Sequence, residues 1–182
     1  MELRTIEGKP FWLVPGRSPV VGDGKLYTYI LYVERGLSSK YGVKTSYVAK
    51  MIENTLGDQR SWIRGGEVAF QRVDDRANTL CLLASPDTVD ILCYPLHTEG
   101  KVSCCVDNKV VFNIDRWKTA VPHWYGGIRT YRQMVINHEF GHRIGKGHHS
   151  CPGPGKKAPV MQQQTYGLQG CVPNSWPLDS EL

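Results

Sequence analysis

The strongest constraint on this chain is one run, residues 138–148, which reads HEFGHRIGKGH. His138 and His142 are four apart, and side chains at that spacing share a face only on a helix, where each residue turns about 100°. Two imidazoles so placed can chelate one metal ion, and zinc is the ion this pattern suits. Glu139 stands about 100° around from His138, close enough to hold the metal's water without taking a coordination position, as a general base must. Gly145 can adopt a positive φ and stop the helix sharply. The chain can then bring His148 back as a third ligand, leaving the fourth position open to water. A single catalytic Zn2+ is therefore the expected cofactor.

The surroundings of this run extend the reading. Residues 128–144 form a helix with two apolar stripes: Tyr131, Met134, Val135, His138 and His142 on one side, Ile136, Phe140 and Ile144 roughly opposite. Such a helix is covered on both sides. Gly141 sits in its interior at a cost of about 1 kcal/mol, which points to a close backbone approach. His149 either replaces His148, were the turn one residue longer, or lies beside the site. His97 and His123 have no ligand partner at chelating spacing and read as surface or structurally satisfied histidines. Gly126 and Gly127 either shape a cleft or start the helix. Three-histidine patterns of this kind are followed by a methionine-bearing turn beneath the metal, and Met161 occupies a turn-rich segment at a fitting distance. Its part there is packing, not coordination. Tyr166 is a candidate for an extra ligand or an oxyanion donor, against a plain packing role.

The rest of the chain reads as an α+β domain. With 182 residues, 41% of them hydrophobic, it is long and apolar enough for one real core. Residues 1–22 carry scattered prolines and glycines and read as a leader or linker, leaving 23–182 as a single domain. Residues 26–34 (LYTYILYVE) suit a strand covered on both faces; Val43, Tyr47, Val48, Met51, Ile52 and Thr55 follow at helical spacing, with Gly57 placed to end that helix. Residues 68–73, 79–84 and 110–114 are further strands. Residues 23–148 thus hold the sheet and helices, and 149–182 an irregular lobe with Cys151 and Cys171 at its two ends.

Composition excludes several classes. No window approaches 18 apolar residues, so no membrane span is expected. The net charge of +5 comes from scattered bases, without the basic stripe and interleaved aromatics of a nucleic-acid binder. Residues 1–10 contain Glu2, Arg4, Glu7 and Lys9 and no apolar run, unlike a signal peptide. The six cysteines favour an oxidised framework but allow 15 pairings.

The zinc-motif residues resemble those of metzincin-type zinc metallopeptidases. Further stretches narrow the likeness: 58–62 (DQRSW), 83–86 (LASP), 93–104, 137–142 (NHEFGH), 151–155 (CPGPG), 159–164 (PVMQQQ) and 170–177 (GCVPNSWP). Together they are similar to an actinobacterial family of secreted or envelope-anchored proteins, catalogued only as a domain of unknown function with metalloprotease character. The resemblance covers about residues 22–178 and implies a zincin fold: a twisted mixed sheet over an active-site helix, with a small irregular disulfide-stapled lobe below. It carries over His138, His142 and His148 as ligands and Glu139 as base. It also implies the disulfides Cys93–Cys104 and Cys151–Cys171, and export by an upstream segment to the outer side of the envelope or beyond. Cys81 and Cys105 depart from the pattern, either as a third bridge or as free thiols.

The expected function is hydrolysis of a peptide or protein substrate by a zinc endopeptidase. A cell-wall peptide amidase would use the same chemistry. A non-catalytic envelope domain holding zinc structurally is the reading from another class; a fourth protein ligand such as His149 would favour it.

Overall fold

The computed structural model describes residues 2–182. Its centre is β4 (Lys25–Glu34), a strand whose two faces feed two separate cores. Tyr29, Leu31 and Val33 point to one side and Ile30 and Tyr32 to the other, as the period of two requires. All five are buried, so from Tyr29 to Val33 the strand has no solvent face.

The sheet is open and mixed, in the order β1 (Leu3–Ile6), β2 (Lys9–Leu13), β4, β6 (Thr79–Ala84), β8 (Lys109–Asn113), β7 (Cys104–Val106). A side branch pairs β5 (Val68–Arg72) with β4 and β3 (Val21–Gly22) with β5. β4, β5, β6 and β8 run parallel to their neighbours among themselves, while β7 is antiparallel to β8 at the edge. Parallel neighbours ordinarily need a long crossover between them. The short segment from β5 to β6 escapes this because the two strands do not pair with each other. Arg72 of β5 and Thr79 of β6 both register with Tyr29, on opposite edges of β4. The chain simply steps across β4 at Tyr29 and continues in the same direction.

One face is covered by α2 (Thr45–Leu56) and α5 (Ile128–Arg143), which pack against each other. Val48, Ile52 and Leu56 of α2 and Ile136 and Phe140 of α5 are fully or almost fully buried there. Phe140 meets Tyr29 and Phe70 edge-on, with ring centroids 5.5 and 5.6 Å apart. The helix α2 stops where the sequence places its end: the Gly57 N–H donates to the Glu53 carbonyl at 2.9 Å. The other face carries α3 (Pro86–Leu92), whose Val89 and Leu92 pack with Leu82 and Val111. Two short helices, α1 (Leu37–Tyr41) and α4 (Ile114–Thr119), fill connections.

The N-terminal expectation is corrected. Residues 3–13 are not a leader but a hairpin, β1 and β2, joined to the sheet through β2 and β4. Phe11 is wholly buried and Leu13 nearly so, and the Val14 N–H donates to the Leu31 carbonyl at 2.9 Å. The apolar alternation is only Phe11 and Leu13, with Pro10 beside it, too short to register as a period. Residues 149–182 contain no strand or α-helix, only a short 3-10 turn at Asp179–Glu181. Hydrogen bonds such as Ala158 N–H to the Val172 carbonyl and the bridge Cys151–Cys171 hold this lobe. No helix among the described residues is long and apolar enough to cross a membrane.

Candidate metal centre

Helix α5 carries His138, Glu139 and His142 through its last turn and a half, and Gly145 at φ 95° turns the chain directly after it. The turn returns His148 to the helix end. The Nε2 atoms of His142 and His138 are 3.2 Å apart, those of His142 and His148 are 3.0 Å apart, and all three lie within 4.8 Å of one another. Two nitrogen ligands on one tetrahedral zinc stand about 3.3 Å apart, given Zn–N bonds of about 2.0–2.1 Å. His148, exposed on its loop, is the ring free to close the last edge.

Hydrogen bonding fixes which nitrogen each ring presents. His138 Nδ1 lies 2.8 Å from the Val160 carbonyl and His142 Nδ1 2.9 Å from the Lys146 carbonyl. A carbonyl only accepts, so both Nδ1 atoms carry the proton and both Nε2 atoms keep a lone pair. Burial pushes His138 down to about 3, and burial also lowers His142 and His148. Burial thus favours the neutral form of each ring, and the Nε2 lone pairs of His138 and His142 face the His148 ring across the gap. That donor set fits a zinc ion.

Glu139 is buried and lines the same cavity as the three rings. Burial raises its carboxyl to about 8, and no ion pair reaches it among the described residues. The cavity has a volume of about 450 Å³ and is walled by β7, by α5 through Met134 and Val135, by the loop 94–103 and by residues 163–166. The loop is rigid. Cys93–Cys104 closes it, Asp90 accepts from Thr98 Oγ1 and from the Gly100 N–H at 2.8 Å, and Asn113 Nδ2 donates to the Gly100 carbonyl at 2.8 Å.

Met161 lies fully buried beneath the helix, against Gly141. A Cβ added at Gly141 would fall inside contact distance of Met161 Sδ and 2.8 Å from Trp62 Cζ2. The close approach read from that glycine is the sulfur of Met161 and the ring of Trp62, whose Nε1 donates to the Asn137 carbonyl at 2.8 Å. Asn137 in turn accepts from Ser61 Oγ and donates to the Ser175 carbonyl, tying α5 to the lobe.

The remaining candidates separate. His149 is exposed and bonds only through its backbone, N–H to the Met161 carbonyl at 3.1 Å; it lies outside the histidine cluster and does not line the cavity. Tyr166 stands 57% exposed on the cavity rim. His123 is a satisfied structural histidine, its Nε2 2.8 Å from the Gln164 carbonyl. His97, read as a surface or structural residue, is exposed, and from the loop 94–103 it also lines the cavity rim. Gly127 precedes α5 at φ 82° and starts the helix; neither Gly126 nor Gly127 lines the cavity.

Cys151 pairs with Cys171 and Cys93 with Cys104, while Cys81 and Cys105 are free. Cys81 and Cys105 both register with Val110, one from each side, so two strand spacings of about 4.8 Å separate them. That is beyond disulfide reach. Burial pushes the Cys105 thiol up to about 12.

The residue that sequence reading missed is Glu181. Its buried carboxylate accepts the N–H groups of Val160 and Met161 at 2.9 and 2.8 Å, directly beneath the centre. A lone glutamate in an aperiodic tail gives no signal of this.

No curated protein and no solved structure is matched by this chain. One family, described as proteins of unknown function (DUF3152), matches residues 3–178, from the first strand through most of the irregular lobe. The chain therefore belongs to the DUF3152 family.

Proposed function

We propose that this protein is a zinc-dependent endopeptidase of metzincin-like architecture, working on the outer side of the cell. The observation that carries the reading is the convergence of the Nε2 atoms of three histidines, beside a buried glutamate, in a cavity large enough for a substrate side chain. His138, His142 and His148 would hold the ion. Zinc bound there would supply Lewis acidity toward a carbonyl and toward water. Glu139 then takes the proton of the attacking water and delivers it to the leaving amine.

Substrate geometry follows from the neighbours. β7 is an edge strand along the cavity, and a free edge can pair with an extended peptide. The cavity wall is formed by Leu96, Val102, Met134 and Val135 with small polar groups, and no Lys, Arg or Asp lines it. An uncharged side chain is the fitting occupant. Three ligands with His149 outside the cluster leave a coordination position free, which favours catalysis over a purely structural ion. The two disulfides suit an oxidising compartment.

The test compares wild type with Glu139→Gln on a quenched-peptide library, each carrying one equivalent of zinc. Wild type should cleave, with a preference for uncharged residues, and the variant should keep its zinc and cleave about 10²–10⁴-fold more slowly. Equal cleavage by both, or silence from both with zinc bound, would overturn the endopeptidase reading.

A further inference from the structure

The Val160–Met161 peptide group has a hydrogen bond at each end. Its carbonyl oxygen accepts from His138 Nδ1 at 2.8 Å, and its N–H donates to Glu181 Oε1 at 2.8 Å. The second carboxylate oxygen accepts from the N–H groups of Val160 at 2.9 Å and Leu178 at 2.8 Å. Glu181 is buried to 3% exposure, and its carboxylate meets only these N–H donors.

From this geometry we propose that Glu181 is a positioning residue for the metal centre, acting on His138 through a single peptide plane. The carboxylate draws on the Met161 N–H, which makes the Val160 carbonyl a better acceptor, since hydrogen bonds in a chain polarise one another. The carbonyl then holds the Nδ1 proton of His138, fixes the ring's tautomer and turn, and leaves Nε2 directed at the ion. A carboxylate placed directly on a ligating histidine does this commonly. Here a peptide group is interposed, and the carboxylate lies 43 residues downstream, outside the family-matched residues 3–178. The proposal rests on the zinc reading for its metal, but the tautomer it assigns exists without one.

Glu181→Gln is the informative change. An amide of the same shape must turn an NH2 group toward at least one of the three N–H donors, replacing an acceptor with a donor. Two readouts decide the matter. In metal-free protein, the His138 ring nitrogens are followed by long-range 1H–15N NMR. Wild type should show the Nδ1–H form, and the variant should shift toward a mixture with Nε2–H. In the full chain, zinc affinity by competition with a chromogenic chelator should fall about 10–100-fold. Asp179→Asn is the control. Asp179 is exposed and pairs with Arg64 at 2.6 Å in the same terminal turn, without touching the Met161 segment. It should leave both readouts unchanged.

An unchanged His138 tautomer in Glu181→Gln overturns the proposal. So does a loss of affinity as large in Asp179→Asn, which would make the effect one of general tail docking. If Glu181→Gln does not fold, Glu181→Asp takes its place; one methylene shorter, it cannot span the same donors. Failure of wild type to bind zinc would sink the metal reading alone, since the tautomer shift still tests Glu181.

Discussion

Replacing Gly141 with alanine sets two effects of opposite sign against each other. In an open helix interior the change stabilises by about 1 kcal/mol, because glycine gives up more backbone freedom on folding. Here the new methyl would meet Met161 Sδ inside contact distance and Trp62 Cζ2 at 2.8 Å. Neither neighbour yields readily. Met161 is fully buried, and Trp62, 2% exposed, is tethered through Nε1 to the Asn137 carbonyl. Forcing a methyl into a packed site costs about 1–3 kcal/mol. The net expectation is a loss of about 1 kcal/mol, read as a lowered urea midpoint of metal-free protein with an unchanged slope. The double variant with Met161→Ala sharpens the test. Met161→Ala alone should cost about 2–5 kcal/mol through the cavity it leaves. When Gly141→Ala is combined with it, the added methyl fills part of that space, so the double variant should be less destabilised than the sum by about 1 kcal/mol or more. A Gly141→Ala protein more stable than wild type by about 1 kcal/mol would refute the argument, because propensity alone would then account for it.

Three further outcomes are expected. In metal-free protein Glu139 is held at about 8, above its ordinary 4.5, so its contribution to stability is full below pH 4.5 and lost as pH rises through 8; wild type should lose urea resistance relative to Glu139→Gln between about pH 5 and 9, and parallel curves would exclude the burial effect. His138, held at about 3, below its ordinary 6.5, works in the opposite sense: its contribution is present above pH 6.5 and lost as pH falls toward 3, so a His138→Gln variant should be less acid-sensitive. Removing the Cys151–Cys171 bridge as a double alanine variant opens a loop of sequence separation 20 and should cost about 3 kcal/mol in urea unfolding, a loss below about 1 kcal/mol showing that the lobe holds without it.

How much of this was legible follows from which signals are local. The helix α5, its stop at Gly145 and the close approach at Gly141 are all consequences of spacing within a few residues, and the structure puts His138, His142 and His148 together accordingly. The strands at 26–34 and 79–84 are dense enough in apolar residues to declare themselves. The β1–β2 hairpin is not, since its inward residues are only Phe11, Leu13 and the partly buried Ile6, with Pro10 directly before Phe11. β7 is three residues long, and its place beside the cavity comes from pairing with β8. His97 reaches the rim only because Cys93 and Cys104 close its loop, and Glu181 reaches Met161 only because the lobe folds back. Contacts of that kind join distant parts of the chain, where no periodicity records them.

The double covering of β4 leaves its sequence without an instruction about inside and outside. In a strand with one wet face, a slip of one residue drives polar groups into the core and is rejected at once. Along β4 the same slip would exchange Tyr29, Leu31 and Val33 for Ile30 and Tyr32, apolar for apolar. What rejects it is shape: one side is built to receive the ring of Phe140, the other the smaller Val89 and Leu92. Two fixed points, Lys25 N–H on the Glu67 carbonyl at the strand's start and Val14 N–H on the Leu31 carbonyl farther along, count the residues where hydrophobicity does not. Conservative exchanges of size along β4 should therefore disturb alignment before they disturb stability.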